Sequence, residues 1–171
     1  MEIKDSGKRR EFSSGAVRDI NEGKGRCDLL PLGVIGEICG NAILFFISEY
    51  IRTGDKKWLS KTIKNFSDVR YGDLNTAILE VSKHYEDGCN KYGERNWEKG
   101  ISLHCYIDSG VRHYIKWLRG DTDEPHDRAF LWNMLGALWT HTYKPEFCDL
   151  PFNKDDAQLR SLPTPSVFNY E

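Results

Sequence analysis

His104, Asp108 and Arg112 fall at i, i+4 and i+8 in one stretch of the chain. On a helix that spacing makes a single stripe. A carboxylate beside a guanidinium on one stripe could hold a divalent cation next to a phosphate. The same spacing also describes an ordinary surface ion pair, worth ~0.2–0.5 kcal/mol. Further on, His126, Ala129, Asn133 and Gly136 share a face opposite an apolar stripe. Small residues between a histidine and an asparagine leave room for a ligand, or suit solvent exposure or close packing in an oligomer. Asp127, in the first turn of that segment, suits the helix N-terminus. Glu86 and Asn90 are an i, i+4 pair, and Glu80, His84, Asp87 and Lys91 form a second polar stripe. Each of these reads alone as an ordinary surface. Two loops concentrate positive charge and free N–H groups: Lys24-Gly25-Arg26, and the run holding Lys91, Arg95, Asn96, Trp97 and Lys99. If Glu86, Asp108, His126 and Asn133 converge, their oxygen-rich set suits Mg²⁺, and the histidine extends it to Mn²⁺. Zinc would ask for more sulfur and histidine. Carboxylates that bind metal, beside loops that bind phosphate, are what nucleoside triphosphate chemistry needs. Trp97 is placed either to stack on a base or to anchor its loop in the core.

The elements that must position these groups are helical. Residues 34–52 are apolar at helical spacing and are broken by Thr53-Gly54-Asp55. Lys56 to Phe66 makes a short amphipathic helix. The segment from Leu74 carries Ala77, Ile78, Val81, Tyr85 and Cys89 on one face and ends at Gly93. Ser102 is the expected N-cap of the next helix, whose stripe runs from Leu103 to Leu118 before Gly120. A turn over Asp121–Pro125 follows, with Pro125 expected at the first helical position. The last helix turns Leu131, Met134, Leu135 and Leu138 inward. The spacing therefore predicts an all-α helical bundle. It is divided into a mobile arm over 1–14, one domain over 15–144 and a C-terminal tail over 145–171.

At 171 residues, 39% of them hydrophobic, the chain is long enough to bury one core. No apolar run reaches the ~20 residues of a membrane span, and the opening residues lack an apolar signal region. A cytoplasmic protein with no membrane partner is expected. The net charge of −2 argues against a nucleic-acid partner. The five scattered cysteines form no Cys-x-x-Cys pair, so reduced thiols are expected rather than a zinc ribbon or disulfide framework.

Several ordered motifs resemble a known family. They are Gly15-Ala16-Val17-Arg18-Asp19 with Glu22 to Arg26 and Asp28-Leu29-Leu30-Pro31, then Tyr85 to Gly88, Lys91-Tyr92-Gly93 and Arg95 to Gly100. Asp108, Arg112-His113, Trp117 to Gly120, His126 and Leu131-Trp132-Asn133 complete them. Together, over roughly 14–31 and 80–140, they resemble the phage dATP/dGTP diphosphohydrolases, and among those the MazZ type, which is similar to the MazG-like all-α pyrophosphohydrolases. The resemblance implies hydrolysis of a purine deoxynucleoside triphosphate, dGTP favoured over dATP, to the monophosphate and pyrophosphate. It implies two or more Mg²⁺ or Mn²⁺ ions and a homodimer or homotetramer in the cytoplasm of a phage host. It implies Glu86 and Asp108 as catalytic groups, and Glu86, Asp108, His126 and Asn133 as metal ligands, with Asp87 and Asp127 as substitutes. Lys24, Arg26, Lys91, Arg95, Arg112 and His113 would meet the phosphates, and Asn96 and Trp97 the base. The paired Glu-x-x-Glu and Glu-x-x-Asp motifs of MazG-like enzymes have no clean copy here, and Ala129 stands where the family often has a second histidine. Residues 40–73 lie outside the motif pattern and read as an inserted helical segment.

A second reading is a non-catalytic accessory protein that binds a nucleotide or a partner. The two readings differ in metal dependence, and an Asp108→Asn change is expected to abolish turnover in an enzyme while sparing its fold.

Overall fold

The computed structural model describes residues 7–153. The architecture is all-α, as expected, with one two-stranded antiparallel hairpin at its start. The hairpin pairs β1 (Arg9–Glu11) with β2 (Val17–Asp19), Arg10 opposite Arg18. Residues 9–11 thus form a strand within the stretch expected as a mobile arm; residues 1–6 and the tail beyond 153 lie outside the described residues.

Six helices follow. The apolar pattern over 34–52, which reads as one helix, is two: α1 (Leu32–Cys39) and α2 (Ala42–Thr53). Gly40, at φ 60°, closes α1 in the left-handed conformation, and the Asn41 side chain accepts the Leu44 N–H at 3.1 Å to open α2. Two caps in adjacent positions outweigh a continuous hydrophobic period. α3 (Lys57–Tyr71) runs a turn past the expected end at Phe66 and stops at Gly72. α4 (Leu74–Tyr92) is capped by Asp73 and ends at Gly93 as read. α5 spans Leu103–Arg119 and α6 spans His126–Tyr143. Pro125 sits at the N-cap of α6, one residue before its expected place. Among the described residues no helix is long and apolar enough to cross a membrane.

The core gathers on α3, α5 and α6. Phe66 is fully buried and meets Phe130 edge-on at 4.7 Å and Trp117 at 5.0 Å. Such pairs add about 0.5–1.5 kcal/mol beyond the area they bury. Residues 40–73, read as an insertion, place Ile47, Tyr50, Leu59 and Phe66 in this core. α5 packs along α6 because glycines let the helices close: Gly136 receives the Tyr106 ring, and Gly110 receives Asn133 and Met134. A Cβ at Gly136 would enter the rigid, fully buried Tyr106 ring. Gly136→Ala is therefore expected to destabilise the protein by about 1–3 kcal/mol, read from the urea midpoint, even though alanine favours a helix.

Ser102 occupies the N-cap of α5, yet its side chain makes no capping bond. Asp149, from the segment after α6, takes that role by accepting the His104 N–H at 3.0 Å. Cys148 and Leu150 on either side are buried. Asp149 also binds His104 Nδ1, and His104 Nε2 lies 3.2 Å from Cys105 Sγ. These partners, Asp149 first, raise His104 to about 10 against the cost of its burial. Burial works to raise the Asp149 carboxyl, but the hydrogen bonds from His104 outweigh it and hold the group below its usual value. The His104 contribution to stability is full below its unfolded value of 6.5 and is lost as pH rises through about 10. The Asp149 contribution is present above its unfolded value of 3.8 and is lost as pH falls below that. His104→Gln should thus lower Tm clearly at pH 6 and much less at pH 10.5; equal shifts at both would refute the coupling.

Candidate active site

A cavity of about 440 Å³ opens between the hairpin with its following loop, α4, α5 and α6. The hairpin side supplies Arg10, Arg18, Asp19 and Lys24. α4 supplies His84 and Gly88, α5 supplies Ser109, Arg112, His113 and Lys116, and α6 supplies Trp132 and Asn133. The turn between α5 and α6 supplies Asp123 and Glu124.

That turn, Asp121-Thr122-Asp123-Glu124, sets three carboxylates in four residues directly before His126. His126 is almost fully buried at the start of α6. Its Nε2 bonds Asp123 at 2.8 Å, and its Nδ1 lies 2.9 Å from Nδ1 of His113 on α5. Burial, then the neighbouring His126, pushes His113 well below the ordinary histidine range, so its ring stays neutral at physiological pH. The Glu124 carboxylate lies 4.0 Å from His113 Nδ1 and 3.9 Å from His126 Nδ1, beyond hydrogen-bond reach. Ligand atoms of His113, Glu124 and His126 all lie within 4.8 Å of one another, and so do those of Asp121, Asp123 and His126. Two imidazoles facing a carboxylate that makes no side-chain hydrogen bond fit a divalent cation of the Mn²⁺ kind, with Mg²⁺ served by the added carboxylates. The Nδ1 atoms of His113 and His126, 2.9 Å apart, would be among the groups that hold such a cation.

Asp108 does not line the cavity. It is 1% exposed, and both its oxygens are taken. One accepts the Cys27 N–H at 2.7 Å; the other accepts from Asn21 Nδ2 and from Arg112, each at 2.6 Å. Arg112 in turn donates to the carbonyl oxygens of Lys24 and Gly25. The pair therefore clamps the glycine loop 21–27 onto α5, at the i, i+4 spacing read from the sequence.

β2 is fixed in a similar way. Asn96 accepts the Val17 N–H at 2.9 Å and donates to its carbonyl at 2.8 Å. Asp19 is held by Lys91 at 2.8 Å, by the Tyr92 hydroxyl at 2.9 Å and by Arg9 at 3.0 Å. Between these anchors Arg18 projects to the floor. It donates to Cys105 O at 3.2 Å and to Asn133 Oδ1 at 3.0 Å, and it lies 5.3 Å from the rings of both Tyr106 and Trp132. Burial lowers its pKa. His84, on α4 beside it, is 7% exposed, and burial, then nearby Arg128 and Arg18, lowers it to about 4.

Of the residues singled out from the sequence, Lys24, Asn96, Arg112, His113 and Asn133 line the cavity, and His126 stands behind it. Asp108, Arg112, Asn96 and Lys91 serve as struts there. The remainder lie elsewhere. Glu86 is exposed on α4 away from the cavity. Arg26 pairs with Asp28 at the surface, and Arg95 pairs with Glu98. Trp97 meets Trp139 edge-on at 4.9 Å and Tyr85 at 5.7 Å, which is the anchoring role. Of the substitute ligands, Asp127 binds Arg70, and Asp87 does not line the cavity. The sequence alone assigns no site role to Arg10, Arg18, Asp19, His84, Asp123 or Glu124, although Arg18 and Asp19 fall in the family motif and His84 in a polar stripe. The density of acid in the 121–124 turn was a usable signal, since it abuts a histidine already marked.

With this geometry in hand, comparison with known proteins finds one family. Residues 69–149 match the model described as dATP/dGTP diphosphohydrolase, N-terminal. That stretch holds α4, α5, the acidic turn and α6, and it bears out the resemblance carried by the motifs. The match supports a nucleoside triphosphate diphosphohydrolase in general terms. No curated protein and no solved structure matches the chain.

Proposed function

We propose that this chain, similar over residues 69–149 to dATP/dGTP diphosphohydrolases, cuts a purine deoxynucleoside triphosphate to its monophosphate and pyrophosphate in the cavity described above, as part of phage nucleotide metabolism. The observation that carries this reading is the facing of two unlike walls across one cavity. A carboxylate–histidine cluster that fits a divalent cation stands on one side, and the cations of the hairpin and glycine loop on the other.

His113, Glu124 and His126, with Asp123 beside them, are the residues that would hold metal; Glu86 and Asp108, the ligands first expected, stand away from that cluster. A bound divalent cation would supply Lewis acidity at a phosphoryl oxygen and lower the pKa of a water. Asp121 is engaged by Arg119, and Asp123 by His126 and Lys116. Glu124 makes no side-chain hydrogen bond among the described residues, so it is the carboxylate most open to a cation. Attack at the α-phosphorus releases pyrophosphate, whose charge is met by the cationic wall. Trp132, at the floor, replaces Asn96 and Trp97 as the group placed to meet a base. dGTP is the favoured substrate, and a homodimer or homotetramer the expected assembly.

Purified protein incubated with dGTP, dATP, dCTP and GTP, with Mg²⁺, Mn²⁺ or EDTA, tests the reading when products are resolved by ion exchange. Metal-dependent release of dGMP or dAMP with pyrophosphate is expected. A folded protein that turns over none of these would support the non-catalytic binding reading, which the displacement of Glu86 and Asp108 from the cavity favours.

A further inference from the structure

The cationic wall contains a charge that the fold itself leaves unbalanced. Arg112 is spent on Asp108 and on two loop carbonyls, and Lys91 is spent on Asp19. Arg18 differs from both. Its only hydrogen-bond partners are two neutral oxygens, Cys105 O and Asn133 Oδ1, and no carboxylate pairs with it among the described residues. A guanidinium carries five N–H donors, so much of the fork remains for a ligand. Removing a cation from water without a counter-charge is costly, and the aromatic faces of Tyr106 and Trp132 offset only part of that.

Two further polar atoms around the same floor lack partners. His84 Nδ1 is buried with no hydrogen bond, on a ring 93% removed from solvent by its 7% exposure, and Arg10 Nε is likewise buried and unpartnered. Both residues line the cavity with Arg18, and Lys24 stands at its rim without an ion-pair partner among the described residues. Buried polar groups are nearly always satisfied. Two unsatisfied donors at one floor, beside a guanidinium with no paired carboxylate among the described residues, mark a place completed by an anion.

We infer that Arg18, with Arg10, Lys24 and the His84 ring, forms a subsite for a phosphoanhydride anion, either free pyrophosphate or the polyphosphate chain of a nucleotide. The inference rests on the proposed hydrolase reading for its biological ligand, but not for the binding itself. Arg18 contributes the planar fork that matches phosphate oxygens two at a time. His84 adds a donor without adding charge. Asn133 and Cys105 O fix the guanidinium in place, so the fork is set before the ligand arrives.

Calorimetric titration of the full chain with inorganic pyrophosphate, and separately with dGTP, both in EDTA, tests this. The wild-type protein should bind both without metal, and pyrophosphate should raise its Tm. Arg18→Gln should weaken both ligands by roughly 10–100-fold, the size expected for losing charge-assisted hydrogen bonds, and should abolish the pyrophosphate-induced Tm rise. Arg18→Lys keeps the charge and loses the fork; a several-fold loss is expected from it, and it carries the test where Arg18→Gln does not fold. Wild-type protein that binds no pyrophosphate in EDTA, or Arg18 variants that bind it as tightly as wild type, would overturn the inference. Pyrophosphate weakened and dGTP unchanged would also overturn it for the nucleotide. Binding as described with no metal-dependent turnover would sink the hydrolase reading alone, whereas turnover with unaltered affinity in Arg18→Gln would sink the subsite alone.

Discussion

Asp108→Ala should cost about 3–5 kcal/mol of folding stability, the range for breaking a buried charged pair by removing one partner. The side chain is 1% exposed and accepts from Asn21, the Cys27 N–H and Arg112 at 2.6–2.7 Å. Its loss strands the Arg112 guanidinium and a backbone donor together. Urea unfolding with an unchanged m-value reads the cost. Limited proteolysis should show cleavage appearing within residues 21–27, because the clamp that holds that loop to α5 is gone. Asp108→Asn keeps an acceptor for the Cys27 N–H and should lose less. A stability change under 1 kcal/mol in Asp108→Ala would refute the clamp. This variant reports first on folding and only through the loop on turnover, so the expectation that Asp108→Asn would spare the fold gives way to the opposite one.

Glu124→Gln is the change expected to damage turnover most. The glutamine has the same shape and removes the one cluster carboxylate without a side-chain hydrogen bond among the described residues. The carboxylate makes no side-chain hydrogen bond among the described residues, so Tm should stay within about 2 °C of wild type. A fall in kcat of about 10²–10³ is expected, the size seen when one preorganised electrostatic group is removed. Metal affinity, followed by Mn²⁺ titration, should fall with it. A variant with normal kcat in saturating metal would move the site away from the acidic turn. Pyrophosphate binding in EDTA should survive in this variant, because the hairpin cations do not depend on Glu124.

The helices were legible because their signals are local. Gly93 and Gly120 end α4 and α5 where periodicity stops, and the Leu103–Leu118 stripe buries Leu103, Ile107, Val111 and Tyr114 but leaves Ile115 and Leu118 exposed at its end. The split at Gly40-Asn41 was also written in local capping residues, but a continuous apolar run masked it. The site was half legible. His126 and Asn133 stand out as a polar face opposite an apolar stripe, and His113 through the motif Arg112-His113. Asp108 stands out by its i, i+4 spacing with Arg112, yet spacing on one helix cannot tell a ligand from a strut; the difference lies in Asn21 and Cys27, 87 and 81 residues away. Arg18 escaped because a three-residue strand has too short a pattern to reveal its inward face, and because its significance is a missing partner. The Ser102 cap misread has a similar origin: Asp149, distant in sequence, supplies the bond that a local rule assigned to the nearest hydroxyl.

The two walls of the cavity are inherited from separate stretches of chain. The carboxylate–histidine cluster lies wholly within residues 69–149, whereas Arg10, Arg18 and Lys24 lie in a hairpin and loop some fifty residues upstream of that stretch. The upstream piece is a cassette fastened at several points, among them Asn96 to Val17, Lys91 and Tyr92 to Asp19, Arg18 to Cys105 and Asn133, Arg112 to Lys24 and Gly25, and Asp108 to Asn21 and Cys27. The cationic wall can therefore vary through residues 9–24 while the carboxylate–histidine cluster, held within residues 69–149, keeps its own contacts.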